Sequence, residues 1–191
     1  MIMRIISGDL KGSTLYISKD KTTRPLKDLV RESIFNLLAH SSKISFELKR
    51  SSVLDLYSGT GSFGLECLSR RAQNVYFIEN NKSAFEILEK NIEKLKIKKK
   101  TKIFFDDVFN LIEKKNILKS KFDLIFSDPP YKAINSKKLV NLIFKKSLLN
   151  KNGIIILHKN KTDNEKLPEY FKIIDERIYG ISKIIFGKLL F

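Results

Sequence analysis

The stretch Val53-Leu54-Asp55-Leu56-Tyr57-Ser58-Gly59-Thr60-Gly61-Ser62-Phe63-Gly64 decides the fold. Its first four residues predict a short buried strand that carries one acid. Gly59 and Gly61 lack a Cβ, so the chain can turn sharply and a ligand can approach the backbone. A helix that begins behind them favours an anionic ligand group at its N-terminus. Strand, glycine turn and helix together predict the first unit of a ligand-binding α/β sheet.

The same alternation of strand and helix continues to the end of the chain. We predict helices over 62–70, around 85–95, from Val108, and over 137–146. Repeated strand–helix units predict a parallel sheet with helices on both faces. The remaining predicted strands are 75–78, 103–105, 123–126 and 154–157, followed by the β-rich runs 171–179 and 181–191.

The first fifty residues follow a different pattern. Residues 4–7 and 14–17 predict two short strands around a turn, and a helix follows from Asp28, which is a plausible N-cap. We therefore predict an N-terminal extension over 1–50 and a main domain over 51–191, joined in one compact unit.

Acidic residues lie inside or directly after three of the predicted strands. Glu79 ends the second strand, where its carboxylate can accept hydrogen bonds from both hydroxyls of a ribose. Asp55 lies inside the first strand, where it can meet an ammonium group. After the third strand, Asp107 can accept from an adenine amine while Val108 packs on the ring; Asp is also a favoured helix N-cap, and Asp107 can do both. The predicted cofactor-binding residues are Asp55, Ser58, Gly59, Gly61, Glu79, Asp107 and Val108.

The spacing Gly59-x-Gly61-x-x-Gly64 also satisfies the dinucleotide fingerprint, so an NAD-dependent oxidoreductase is one alternative. Asp55 favours S-adenosylmethionine instead, because that cofactor carries an ammonium group and NAD does not. A tight turn that binds no ligand is the plainest alternative.

The fourth strand ends in Asp128-Pro129-Pro130-Tyr131, and these four residues form the predicted catalytic loop. Two prolines make a rigid loop without free N–H groups, so carbonyls are left facing a pocket. The Asp128 carboxylate and a proline carbonyl can hold both N–H groups of a planar amine, and Tyr131 can stack on its ring. This pattern predicts methyl transfer to an exocyclic amine of a base that is flipped out or unpaired.

Charge and composition set the class of partner. The chain has 37 Lys and Arg residues against 21 Asp and Glu, a net charge of +16, which suits a polyanion but also arises from a Lys-rich composition. Cys67 is the single cysteine, and no apolar segment is long enough for a signal peptide or a membrane span, so we expect a cytoplasmic protein. His40 and His158 stand apart from any ligand cluster in the sequence, so no metal site is predicted.

With these residues in place, nearly the whole chain resembles the bacterial 16S rRNA guanine-N2 methyltransferases, the RsmD-like family. The N-terminal motifs single out this family, whereas the Asp-Pro-Pro-Tyr loop occurs across many amino-methylating enzymes. The matching motifs are Met3-Arg4-Ile5-Ile6-Ser7-Gly8, Lys11-Gly12, Arg24-Pro25, Asp28-x-Val30-Arg31-Glu32-x-x-Phe35-Asn36, Leu54 to Glu66, Ser69-Arg70, Ile78-Glu79 and Asp128 to Tyr131.

The resemblance implies a class I S-adenosylmethionine-dependent methyltransferase fold, Rossmann-like, with a seven-stranded sheet whose last strand is antiparallel. It implies 16S rRNA in a partly assembled small ribosomal subunit as the partner, no membrane contact, and a monomer. The basic residues implied to contact RNA are Arg4, Lys11, Arg24 and Arg31. Two positions depart from the family pattern: Leu26 replaces a Thr, and Asn81 replaces an Asp two residues beyond Glu79.

Two further alternatives stay open at this point. One is methylation of a different amine, adenine N6 in DNA or a glutamine amide in a protein; such enzymes often carry Asn where this chain has Asp128. The other is a catalytically silent RNA-binding protein that depends on the basic charge alone.

Overall fold

The structure, a computed structural model, describes residues 3–18, 28–114, 120–130 and 135–191. The strands are β1 (Met3–Arg4), β2 (Thr14–Leu15), β3 (Ser52–Leu56), β4 (Asn74–Glu79), β5 (Thr101–Phe105), β6 (Phe122–Ser127), β7 (Leu149–Asn160), β8 (Phe171–Tyr179) and β9 (Ser182–Leu189). The helices are α1 (Asp28–His40), α2 (Ser62–Ser69), α3 (Lys82–Lys94), α4 (Val108–Glu113) and α5 (Ser136–Lys145).

Seven strands form one sheet in the order β5-β4-β3-β6-β7-β9-β8, and β1 pairs with β2 in a separate hairpin. Strands β5, β4, β3, β6 and β7 run parallel, and β9 pairs antiparallel with both β7 and β8. The predicted α/β fold, with its seven-stranded sheet, antiparallel last strand and N-terminal hairpin, is confirmed. Because β3 lies between β4 and β6, the chain changes direction across the sheet at the carboxyl end of β3, which is where such sheets bind ligands.

Two apolar cores cover the two faces of the sheet. Helices α4 and α5 contribute to one core, and helices α1, α2 and α3 contribute to the other. Met3, Ile5 and Leu15 of the hairpin lie in this second core, so the first fifty residues share apolar packing with the main sheet. In that core the Phe63 ring stacks on Phe126 with centroids 3.9 Å apart, which joins α2 to β6.

Strand β1 ends at Arg4, before the predicted end of the strand, because the Glu66 side chain binds the backbone of the residues that would continue it. The N–H groups of Ile6 and Ser7 donate to the buried carboxylate of Glu66 on α2, at 2.7 and 3.0 Å. Strand β7 is longer than predicted. Its register against β6 is irregular: Leu149 pairs with Phe122, whereas Ile154 already pairs with Leu124.

Candidate active site

The glycine turn connects β3 to α2 through left-handed backbone. Gly59 and Gly61 have φ of +56° and +88°, a region that suits glycine best. A Cβ at Gly61 would lie 2.4 Å from the Leu88 side chain, so packing also requires glycine there. A Cβ at Gly59 would meet nothing within 4 Å, so the backbone beside Gly59 is open to a ligand.

Asp55 lies within β3, buried just behind this turn. Its Oδ2 accepts a hydrogen bond from the Gly64 N–H at 3.0 Å, which holds the first turn of α2 against the strand. Burial raises the pKa of the Asp55 carboxyl well above its ordinary value, and the charges of Asp128 and Glu79 raise it further. The parallel pairing of β3 with β4 and with β6 therefore brings the predicted site acids Glu79 and Asp128 close enough for their charges to act on Asp55.

Glu79 joins the glycine turn to the start of the next helix. Its Oε2 accepts from the Gly59 N–H at 2.6 Å, and its Oε1 accepts from the Asn81 N–H at 2.7 Å. A carboxylate oxygen has two lone pairs, so each oxygen retains capacity for a ribose hydroxyl. Asn81, one of the departures from the family pattern, caps α3 by accepting from the Ala84 N–H at 3.0 Å. Asn caps a helix as well as Asp does.

The Ser58 hydroxyl is engaged with the backbone of the turn. Its single proton lies between the carbonyls of Asp55 and Ile78, whose oxygens are 2.7 and 3.1 Å from Oγ, and the Ile78 N–H donates to Oγ at 3.0 Å. Ser58 therefore fixes the end of β3 against β4 and shapes the site through the backbone.

Asp107 is the N-cap of α4. Its Oδ1 accepts from the N–H groups of Phe109 and Asn110, at 2.9 and 3.0 Å, while Val108 is buried at the start of the helix. The predicted capping function of Asp107 is thus confirmed. Its Oδ2 has no hydrogen-bond partner among the described residues. Burial raises the pKa of the nearby Tyr57 hydroxyl to about 12, and the charge of Asp107 contributes to the rise.

Asp128 begins the proline loop directly after β6. Its N–H donates to the Leu56 carbonyl at 3.5 Å, a long contact to the end of β3. Its carboxylate Oδ1 lies 2.6 Å from Nδ1 of His158, at the end of β7. Pro129 is partly buried and Pro130 is exposed, and Tyr131 lies outside the described residues.

The basic residues implied to contact RNA lie in different environments. Arg4 and Lys11 are exposed on the N-terminal hairpin, and Arg24 lies outside the described residues. Arg31 is fully buried: its Nη2 donates to the Arg4 carbonyl at 2.7 Å and to the Asp28 carboxylate at 3.0 Å. The prediction that Arg31 contacts RNA is therefore corrected, because this guanidinium ties α1 to β1 inside the protein.

Three residues that the sequence analysis did not select also shape the site. Glu66 anchors the hairpin to α2, and His158 contacts Asp128. Buried Asn91 on α3 donates to the Thr60 carbonyl of the glycine turn at 3.0 Å and exchanges two hydrogen bonds with the Tyr16 backbone. The signal for Glu66 and Asn91 was a polar residue on the apolar side of a helix.

Across the described ranges no group of three His, Cys, Asp or Glu side chains is placed to hold a metal ion. Nor does any helix within those ranges have the length and hydropathy to cross a membrane.

Comparison with known proteins places the chain in a family. The family model described as conserved hypothetical protein 95 matches residues 3–188. A relative from Buchnera aphidicola subsp. Acyrthosiphon pisum, named ribosomal RNA small subunit methyltransferase D, is 32% identical over 91% of this chain and 86% of its own length. A relative of the same name from Haemophilus influenzae is 29% identical over 94% of this chain and 90% of its own length.

A solved structure from Haemophilus influenzae, provisionally named a methylase, superposes with a TM-score of 0.80 at 26% identity and covers 100% of both chains. Together with the family model, these matches confirm the resemblance that the sequence motifs indicated. The chain belongs to the family described as conserved hypothetical protein 95, the family of the RsmD-like methyltransferases.

Proposed function

We propose that this protein transfers the methyl group of S-adenosylmethionine to the exocyclic N2 amine of a guanine in 16S rRNA. The observation that carries the proposal is the placement of Asp55, Glu79 and Asp128 in or just beyond the carboxyl ends of the adjacent strands β3, β4 and β6. A site that concentrates negative charge binds a cation and repels an anion.

The cofactor is S-adenosylmethionine, which carries a sulfonium and an ammonium group. Its charge complements the acids of the site, whereas the diphosphate of NAD would be repelled by them; this disfavours the oxidoreductase alternative. Asp55 holds the ammonium group, Glu79 accepts from the ribose hydroxyls, and Oδ2 of Asp107 accepts from the adenine amine. Gly59 lets the cofactor approach the backbone, and Val108 packs beside the adenine ring.

The cofactor supplies a methyl group on a sulfonium, whose leaving group is a neutral thioether. The task of the protein is then to aim the amine, whose lone pair is delocalised into the base. Asp128 and a proline carbonyl of the loop each accept one N–H, which turns the lone pair toward the methyl carbon. The Asp128 carboxylate also stabilises the positive charge that develops on nitrogen. Tyr131 stacks on the flipped-out base.

The substrate is RNA held against the basic surface of the chain. The chain carries a net charge of +16, which attracts a polyanion, whereas the acids of the site attract the cationic cofactor. Exposed Arg4 and Lys11 contact phosphates of the rRNA. The partner is a partly assembled small ribosomal subunit in the cytoplasm, which the protein meets as a monomer.

Labelled methyl transfer tests the proposal. The purified protein is given methyl-labelled S-adenosylmethionine and small-subunit particles from cells that lack the gene, and the rRNA is digested for nucleoside mass spectrometry. The proposal expects label in N2-methylguanosine. Label in N6-methyladenosine, in DNA or in ribosomal protein would overturn the substrate, and tight binding of NAD alone in calorimetry would overturn the cofactor.

A further inference from the structure

His158 and Asp128 are neighbours across two parallel strands. Ser127 of β6 pairs with Leu157 of β7, so the residues that follow them, Asp128 and His158, lie at the same level of the sheet. Alternation along the strands then directs both side chains to the face that carries Phe126 and Ile156. The sheet itself therefore brings His158 to Asp128.

The contact between the two side chains is short and sheltered. Nδ1 of His158 lies 2.6 Å from Oδ1 of Asp128, and the two side chains are 9% and 22% exposed. The backbone of His158 is paired with Ile184 of β9, so the imidazole stands on a strand held from both sides. Asp128, in contrast, lies just beyond the end of β6, where no strand pairing fixes its side chain.

We propose that His158 is a positioning residue that fixes the carboxylate of Asp128 for methyl transfer. The inference rests on the proposed role of Asp128 in binding the target amine. A carboxylate accepts hydrogen bonds, so Nδ1 carries a proton and donates it to Oδ1. Oδ2 is then the oxygen left to accept an N–H of the base, and the carboxylate cannot rotate without losing the bond to His158.

A neutral imidazole suits this purpose better than a cation. With a neutral donor the pair keeps one full negative charge, which stabilises the charge developing on the amine nitrogen. The rate of an oriented reaction depends steeply on geometry, so freeing the carboxylate lowers kcat more than it changes cofactor binding. A residue that only packs the core would instead change stability and leave the rate of the folded protein unchanged.

Asn and Leu have nearly the same shape, but only Asn carries an N–H donor near the position of Nδ1. His158→Asn and His158→Leu are therefore a matched pair. We expect His158→Asn to keep kcat within about threefold of wild type and His158→Leu to lose about tenfold or more. The Kd for S-adenosylmethionine, measured by calorimetry, stays unchanged in both. Equal losses in the two variants, or wild-type kcat in His158→Leu, would overturn the inference.

The background of Asp128→Ala separates this inference from the proposed function. If His158 acts through Asp128, adding His158→Leu to Asp128→Ala causes no further loss of kcat. A full additional loss would mean that His158 acts by another route. Wild-type activity of Asp128→Ala itself would instead defeat the proposed role of Asp128.

A spectroscopic test does not depend on the folding of any His158 variant. The chain has only two histidines, so the ring signals that remain in a ¹⁵N-labelled sample of His40→Asn belong to His158. We expect Nδ1 of His158 to carry a proton at neutral pH in the wild type, and its signal to shift when Asp128 is replaced by Ala. An unprotonated Nδ1, or a Nδ1 signal that stays in the same position in Asp128→Ala, would contradict the proposal.

Discussion

We expect the replacement of Asp55 by Asn to raise the stability of the fold and to weaken cofactor binding. Asn keeps an oxygen that can accept the Gly64 N–H, now 3.0 Å from Oδ2, but it removes the ionisable group. Burial is the main cause that raises the pKa of the folded-state carboxyl well above its ordinary value of 3.8. The unfolded chain therefore releases the Asp55 proton at a lower pH than the folded chain does.

The sign of the pH effect follows from that difference. Above the unfolded pKa the native state binds more protons than the unfolded state, so the free energy of unfolding falls as pH rises toward the folded pKa. Each pH unit in that window costs about 1.4 kcal/mol. Asp55→Asn removes this loss, so we expect the variant to gain stability over wild type by up to about 1.4 kcal/mol per unit as pH rises.

The same substitution weakens binding of the cofactor. The ammonium group of the cofactor favours the ionised form of Asp55 and forms a buried charge pair with it, which Asn cannot form. Losing one partner of such a pair costs about 2–5 kcal/mol, which is roughly a 30-fold to several-thousand-fold rise in Kd. Urea unfolding between pH 5 and 8 and calorimetry with S-adenosylmethionine measure the two effects. A variant with the pH dependence of wild type, or with unchanged Kd, would refute the reasoning.

Asp9→Asn is the matched control. Asp9 is an exposed carboxyl whose pKa is lowered by its hydrogen bond to Arg71. Its contribution to stability is present above the unfolded pKa and is lost only as pH falls through the still lower folded pKa. The control therefore leaves the stability slope between pH 5 and 8, and the Kd for the cofactor, unchanged.

Further outcomes follow from the turn, the hairpin and the basic surface. Gly59→Ala and Gly61→Ala each lose about 1–2 kcal/mol of stability to left-handed backbone, and Gly61→Ala loses about 1–3 kcal/mol more to the clash with its neighbours. Thermal unfolding should therefore give Gly61→Ala a lower melting temperature than Gly59→Ala. Calorimetry should find weaker cofactor binding in Gly59→Ala. Glu66→Gln should cost about 1–3 kcal/mol and speed hydrogen exchange in the N-terminal hairpin; unchanged exchange would show that Glu66 does not anchor it. Arg4→Ala with Lys11→Ala should weaken RNA binding and reduce the slope of log K against log salt by about 1–2, and an unchanged slope would remove both from the interface.

Much of the site could be predicted from sequence because its chemistry is local. The glycine turn, Asp55 and Glu79 each follow directly from a strand and its next few residues, and parallel strands bring such ends together at one edge. The capping function of Asp107 could likewise be predicted, because an Asp stands directly before the predicted helix that begins at Val108.

The rest depended on contacts that no local pattern encodes. The family resemblance implies that Arg31 contacts RNA, yet Arg31 shares a helix face with Ile34 and Leu38, and that spacing predicts burial. The pairing of His158 with Asp128 depends on the register between β6 and β7, which is irregular at its start. Sequence spacing alone gives the order of those strands and leaves their register open.

The direct test of the central claim is a single-turnover methyl transfer by Asp128→Ala, with the cofactor at saturation. Calorimetry first establishes how tightly this variant binds S-adenosylmethionine. We predict that the Kd rises by less than about tenfold, because Asp55 and Glu79 still bind the cofactor, while the rate of transfer to small-subunit rRNA falls by two orders of magnitude or more, about 2.7 kcal/mol of lost transition-state stabilisation. Transfer at the wild-type rate would contradict the account, because Asp128 would then take no part in holding the amine.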